Sequence, residues 1–305
     1  MSESIRDEIK ALEAQVSQIV AGKESAIRQV MIAMFCGGHV LIEDLPGMGK
    51  TTLAQALAAS LNTDFGRIQF TADLLPADIV GVEIFNPAER KFEFHPGPIF
   101  HHIVLADEIN RATPKAQSAL LEAMAEGQVS IERETRKLPE PFFVLATQNP
   151  QEHLGTFPLP ESQLDRFFMR LSLGYPDQAA ERQLLRGEAG RSQLERMKPV
   201  ANLDLLKVIR RETDQVYVSD LLMDYLLKLL ELSRSGEWLK QGVSPRAGKD
   251  LLQAAKAQSW MDGRDFANAA DIQEMWLPCL GHRVSAAGDS EAALMQLLEQ
   301  VPVPA

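Results

Sequence analysis

Ile5, Ile9, Leu12, Val16 and Ile19 recur at spacings of three and four, the apolar stripe of an amphipathic helix that Ala21-Gly22 interrupts. A second helix carries Ile27, Val30, Met31, Met34 and Phe35 and stops at Gly37-Gly38. The pattern then shortens. His39-Val40-Leu41-Ile42 reads as a strand, Leu53 to Ala58 as a helix, and Arg67-Ile68-Gln69-Phe70 as a short buried strand. Residues 81–94 alternate on both sides of Asn86-Pro87, which predicts a β-hairpin. A second hairpin is predicted from Val129-Ser130-Ile131 to Arg136-Lys137-Leu138. Between them lie the strand Ile103-Val104-Leu105-Ala106 and a helix from Pro114 to Glu126, and Phe142 to Thr147 is a further, fully apolar strand. Strands that alternate with helices predict an α/β class with a parallel sheet flanked by helices.

The pattern changes after Tyr175-Pro176 and is helical from Asp177 onward. Leu221, Leu222, Tyr225, Leu226 and Leu229 mark one helix face, and Leu251, Leu252, Ala255 and Trp260 another. Two domains are therefore expected: an α/β core with N-terminal helices over 1–176, and a smaller all-α domain over 177–305. No Pro/Gly/Ser linker sharpens that border, which falls within 175–200. The chain has 305 residues, 45% of them hydrophobic, enough for such a pair. Its net charge of -11 gives no counterion-release affinity for DNA or RNA, so nucleic acid is not an expected partner. Cys36 and Cys279 lack metal-ligand spacing and are expected to be buried or idle thiols. Met1 to Asp7 lacks the basic start and apolar block of a signal peptide, and no stretch approaches the roughly 20 apolar residues of a membrane span. A soluble cytoplasmic protein without membrane insertion is the expectation.

The candidate chemistry begins at Asp44-Leu45-Pro46-Gly47-Met48-Gly49-Lys50-Thr51-Thr52, between the strand at 39–42 and the following helix. A strand, a Gly-rich turn, Lys-Thr and a helix make a phosphate cradle. Backbone N–H groups point at phosphate oxygens, Lys50 adds positive charge at the β/γ-phosphates, and the Thr51 hydroxyl can ligate Mg²⁺. Asp44 stands where the general motif begins with Gly, so this is a variant P-loop. The strand at 103–106 ends in Asp107-Glu108, a carboxylate pair at the edge where parallel sheets bind ligands. Asp107 can orient Mg²⁺, and Glu108 can align or deprotonate an attacking water. The strand at 142–147 ends in Gln148-Asn149-Pro150, whose carboxamide can bond both a γ-phosphate and the lytic water. Arg166 in Leu164-Asp165-Arg166-Phe167 and Arg246 in Ser244-Pro245-Arg246-Ala247 each stand beside a predicted helix boundary. A guanidinium there can meet phosphate oxygens, or simply pair at the surface. His95, His101 and His102 have no Cys or carboxylate at ligand spacing, and Phe92, Phe94 and Phe100 are expected to pack the base of the first hairpin.

Taken together these segments resemble the MoxR family of AAA+ ATPases, from Ile19-Val20-Ala21-Gly22-Lys23-Glu24 to Gly281-His282-Arg283-Val284. The family-specific blocks are His39 to Gly47, Gln69 to Asp78, and Pro96-Gly97-Pro98-Ile99-Phe100. The strongest is Ala106-Asp107-Glu108-Ile109-Asn110-Arg111-Ala112, continued by Gln117 to Met124. An acidic residue such as Asp44 is at home before this family's P-loop. The resemblance implies a P-loop AAA+ core with β-hairpin inserts and a helical lid. It implies ATP and Mg²⁺, with Lys50 and Thr51 as Walker A, Asp107 and Glu108 as Walker B, and Asn149 as sensor 1. Arg166 would be an arginine finger reaching the neighbouring subunit's nucleotide, Arg246 would be sensor 2 on the lid, and Val20 and Gly22 would lie near the adenine. The hairpins would be the helix-2 and pre-sensor-1 inserts. A homo-oligomer, typically a hexameric ring, is implied, with chaperone-like remodelling of client proteins that often carry von Willebrand factor A domains. A nucleic-acid motor, the ATPase subunit of a metal chelatase and a nucleotide-sensing scaffold are the competing readings.

Overall fold

The computed structural model of the protein describes residues 2–131, 134–150 and 155–304. A five-stranded parallel sheet is built from β1 (Val40–Glu43), β2 (Phe65–Gln69), β5 (Ile103–Asp107), β8 (Phe143–Gln148) and β9 (Met169–Leu171), in the order β2-β5-β8-β1-β9. Alternate residues of each strand face opposite layers, as the pleat requires. Val40, Ile42, Ile103, Leu105, Phe143 and Leu145 join one core with α1 (Ser2–Ile19), α2 (Glu24–Phe35) and α3 (Lys50–Ser60). Leu41, Val104, Ala106, Val144 and Ala146 join the other, with α4 (Pro76–Val80) and α5 (Pro114–Glu126). These strands are apolar on both sides because both faces are covered, which is why they read as continuous runs.

Two hairpins project from this core: β3 (Gly81–Asn86) with β4 (Lys91–Pro96), and β6 (Gln128–Ile131) with β7 (Glu134–Lys137). In the first, the Asn86 side chain accepts from the N–H groups of Ala88 and Glu89 at 3.0 and 3.3 Å and closes the turn. The turn residues of the second, 132–133, lie outside the described residues. Phe94 and Phe100 pack the hairpin base edge-to-face, their centroids 5.5 Å apart. Phe92 does not: it pairs with Phe85 higher on the ribbon and is 65% exposed. Phe92 and Phe94 both lie on β4, and distance along the ribbon from the core, which alternation does not encode, makes that difference. Arg136 lies 4.0 Å over the Phe94 ring and pairs with Glu83 at 3.3 Å, joining the two hairpins.

Beyond the short helix α6 (Glu161–Leu164) and β9 the described chain is helical: α7 (Gln178–Leu185), α8 (Arg191–Leu194), α9 (Leu203–Asp214), α10 (Asp220–Ser233), α11 (Pro245–Met261), α12 (Ala269–Leu280) and α13 (Ser290–Gln300). Side-chain caps begin six of them, at Asp177, Asn202, Ser219, Ser244, Asn268 and Asp289. Leu222, Tyr225, Leu226 and Leu229 form the buried face of α10, whereas Leu221 is 63% exposed on its first turn. Cys36 and Cys279 are buried thiols, and burial pushes Cys279 up to about 12. Among the described residues no helix is long and apolar enough to cross a membrane.

Two buried histidines fasten the edge of the sheet opposite the P-loop. His39, just before β1, contacts the Met124 carbonyl through Nε2 at 3.2 Å and accepts the Val144 N–H at Nδ1 at 3.1 Å. His282, just past α12, contacts the Phe167 carbonyl at 2.8 Å. Burial lowers His39 to about 4, and burial with the neighbouring Arg283 lowers His282 to about 3. A base whose folded pKa is depressed contributes in full above its unfolded pKa, and that contribution fades as pH falls towards the folded value. Unfolding free energy should therefore hold from pH 8 to about 7 and fall by roughly 2 kcal/mol per histidine by pH 5. Denaturant midpoints at the two pH values check this, and His39→Gln should flatten part of the slope.

Candidate functional site

The carboxyl ends of β1, β5 and β8 meet on one edge of the sheet. After β1 the chain turns through Pro46, Gly47, Met48 and Gly49 into α3. Gly47 and Gly49 take φ of +87° and +93°, in the left-handed region that favours glycine, and Gly49 caps α3. The free N–H groups of Lys50, Thr51 and Thr52 open the helix and aim its positive end into the turn. Lys50 Nζ donates to the Asp44 carbonyl at 2.8 Å. Burial lowers the Lys50 pKa, opposed by the pull of Asp107, Asp44 and Glu108, which puts both carboxylates of the β5 end in electrostatic contact with this lysine.

Asp44 departs from the general motif for a reason visible in the structure. Its carboxylate is buried and accepts from the Ser172 hydroxyl at 3.1 Å, the Gly174 N–H at 3.2 Å and the Leu173 N–H. Lys23 Nζ donates to the Gly174 carbonyl at 2.8 Å. The segment leaving β9 is thereby tied to the start of the P-loop and to the 20–23 turn. In that turn Val20 lies beside the P-loop, 3.8 Å from where a Cβ on Gly49 would stand, and Gly22 leaves no room beside Ala180 of α7.

At the end of β5, Asp107 accepts from Thr147 Oγ1 at 2.7 Å and pairs with Arg67 at 2.6 Å. Glu108 has φ +58° and donates its N–H to the same Thr147 oxygen at 2.9 Å, which turns its carboxylate away from that of Asp107. Gln69 Nε2 reaches Glu108 at 2.8 Å and Arg111 pairs with it at 3.4 Å. Asn149 is buried one residue past β8, whose Gln148 carbonyl accepts the Asp44 N–H at 3.2 Å. Val20, Gly22, the P-loop, Thr51, Asp107, Glu108 and Asn149 are thus gathered around one edge. The Thr51 hydroxyl with the Asp107 carboxylate is an all-oxygen donor pair of the kind that suits a Mg²⁺ ion retaining most of its waters.

Arg166 and Arg246 stand elsewhere. Arg166 precedes β9 and donates to the Leu121 carbonyl at 3.1 Å, and Arg246 lies in the first turn of α11. Both line a cavity with Gly37, Gly38 and His39, at the amino ends of β1 and β9. Four residues of β1, about 13 Å of strand, separate that edge from the P-loop edge. Arg283 braces the arrangement. Its side chain is buried, donates to the Phe167 carbonyl at 2.6 Å, and pairs with Asp250 of α11 at 2.9 Å and Asp165 at 3.5 Å. Arg166 sits between two residues so held. Sequence reasoning missed Thr147, Gln69 and Arg67 because their parts depend on which strands are neighbours, and motif spacing carries no signal of that.

Two family models match this chain: the ATPase family associated with various cellular activities (AAA) over residues 39–169, and the AAA lid domain over residues 231–301. The Bacillus subtilis protein YeaC is 41% identical over 97% of this chain and 94% of its own length. The chaperone MoxR1 of Mycobacterium tuberculosis is 34% identical over 99% of this chain and 85% of its own. Among solved structures, a Cytophaga hutchinsonii protein assigned as an ATPase matches with a TM-score of 0.90 and 36% identity, over 100% of this chain and 97% of that one.

Proposed function

This chain belongs to the MoxR-type AAA ATPases, and on that premise we propose a Mg²⁺-dependent ring ATPase that remodels or activates partner proteins. ATP hydrolysis comes with the family. The arrangement of the reaction within and between subunits is our reading. Lys50 and the N–H groups of the P-loop bind the β/γ-phosphates, while Val20 and Gly22 border the base. Thr51 and Asp107 would hold Mg²⁺, which would supply positive charge against the phosphates. Glu108 accepts a proton from the lytic water, and Asn149 orients that water against the γ-phosphate.

One observation carries the ring: Arg166 and Arg246 occupy the edge opposite their own P-loop. A single copy cannot bring both to the nucleotide that its own Lys50 holds. Head-to-tail contact sets this edge against the P-loop edge of a second copy, and rotation closes such contacts into a ring. Arg166 then acts in trans on the transition state, and Arg246 beside it couples the helical lid, 177–305, to the state of the adjoining nucleotide. We propose a hexamer, cytoplasmic location and clients with von Willebrand factor A domains. The chaperone name of MoxR1 supports a protein client, and the net charge of -11 disfavours a polynucleotide one.

The test is the Mg²⁺-ATPase rate per subunit against protein concentration, with sizing at each point. The rate should climb and then plateau as rings assemble, and EDTA should remove it. Equal rates per subunit for a sized monomer and a ring would overturn the shared site.

A further inference from the structure

The cavity that holds Arg166 and Arg246 carries more positive charge than those two residues supply. Its wall encloses about 520 Å³ and includes Arg210 of α9 and Lys249 of α11. Lys249 follows Arg246 by three residues, so both leave the same face of the helix. Arg210 is set by a close approach to the strand entry, where a Cβ on Gly37 would meet its Nη1 at 2.7 Å. The two acids of the wall are engaged elsewhere: Asp250 accepts from Arg283 at 2.9 Å, and Asp214 from Gln253 at 2.8 Å. Among the described residues Arg210, Arg246 and Lys249 make no side-chain hydrogen bond or ion pair, and Arg166 makes its one bond to a backbone carbonyl.

Cations of like sign around one cavity repel one another, and a multivalent anion relieves that repulsion. We propose that Arg210 and Lys249 join Arg166 and Arg246 in binding the triphosphate of the ATP held by a neighbouring copy of this chain. The proposal rests on the reading of Arg166 as a residue acting in trans. In a head-to-tail ring this cavity is the surface that meets the next P-loop. Arg210 and Lys249 belong to the helical part of the chain, so their contact makes lid position sensitive to whether the neighbour holds ATP. They bind phosphate in the ground state, whereas Arg166 works as the transferring group separates.

Arg210→Gln and Lys249→Gln should each raise KM for ATP about tenfold, with kcat within about threefold of wild type. Neither side chain has a hydrogen-bond or ion-pair partner among the described residues, so the thermal midpoint should not move. Mixing each variant with Lys50→Ala subunits, which bind no nucleotide but present an intact cavity, should return KM towards the wild-type value. Arg166→Ala mixed with Lys50→Ala is the control. An unchanged KM in both variants overturns the proposal. So does a raised KM that Lys50→Ala subunits fail to correct while Arg166→Ala regains turnover, an outcome that leaves the trans reading of Arg166 standing. If Arg166→Ala is not rescued either, the trans reading falls and this proposal with it. ATPase stimulation by DNA that both variants lose at unchanged KM would assign the cavity to nucleic acid instead. Should Arg210→Gln not fold, Lys249→Gln carries the same test.

Discussion

Glu108→Gln should lower kcat by roughly 10³-fold while leaving ATP affinity within about threefold, read by single-turnover hydrolysis and by equilibrium titration with a fluorescent ATP analogue. The substitution preserves shape and one carbonyl-type oxygen, so the hydrogen bond from Gln69 survives. What it removes is a proton acceptor. Affinity is carried at a distance from this change, by Lys50 and the N–H groups that open α3. The Thr147 hydroxyl fixes the β5 end from below, accepting the Glu108 N–H and donating to Asp107, so the amide should stand where the carboxylate stood. Lys50→Ala should behave in the opposite sense, with binding lost before chemistry begins. Wild-type turnover by Glu108→Gln would mean that another group takes the proton, and the assignment of the β5 end would fail.

The contrast between those two variants mirrors what the sequence could and could not convey. The P-loop and the Asp107-Glu108 pair are contiguous, and each is delivered by a local change from apolar strand to turn. Both hairpins were legible because alternation and a turn residue are local as well. The supports of the site are not local. Thr147 touches Glu108 across thirty-nine positions, and Asp44 holds Leu173 and Gly174 across more than a hundred. Such contacts exist only once β5 lies beside β8 and β9 beside β1. Asp44 is the instructive case, a motif departure at the sequence level that becomes the anchor of the segment leaving the sheet. Arg166 and Arg246 were each found as single residues beside helix boundaries. Their shared cavity, and its place opposite the P-loop, follow from β9 running parallel to β1, which no spacing encodes.

Arg166→Ala should reduce kcat at least 10³-fold, about 4 kcal/mol of barrier, with ATP binding at its own P-loop retained. The argument is geometric. The side chain leaves a short segment between α6 and β9 whose neighbours are fixed independently: Asp165 by Arg283, and the Phe167 carbonyl by both Arg283 and His282. Truncating Arg166 forfeits its hydrogen bond to the Leu121 carbonyl and leaves that bracing intact, so fold and assembly should persist. Arg166→Lys should recover no more than about a tenth of the lost rate, because an ammonium cannot offer the planar, forked contact of a guanidinium to two phosphate oxygens. The loss should be complemented in mixed rings, since an Arg166→Ala subunit keeps its own P-loop and regains turnover beside a Lys50→Ala subunit, which presents an intact Arg166. Sizing, an ATP-analogue titration and the rate against mixing ratio separate the cases. Mixtures of Arg166→Ala and Lys50→Ala that stay as inactive as either variant alone would place Arg166 in service of its own nucleotide, and the ring would lose its reason.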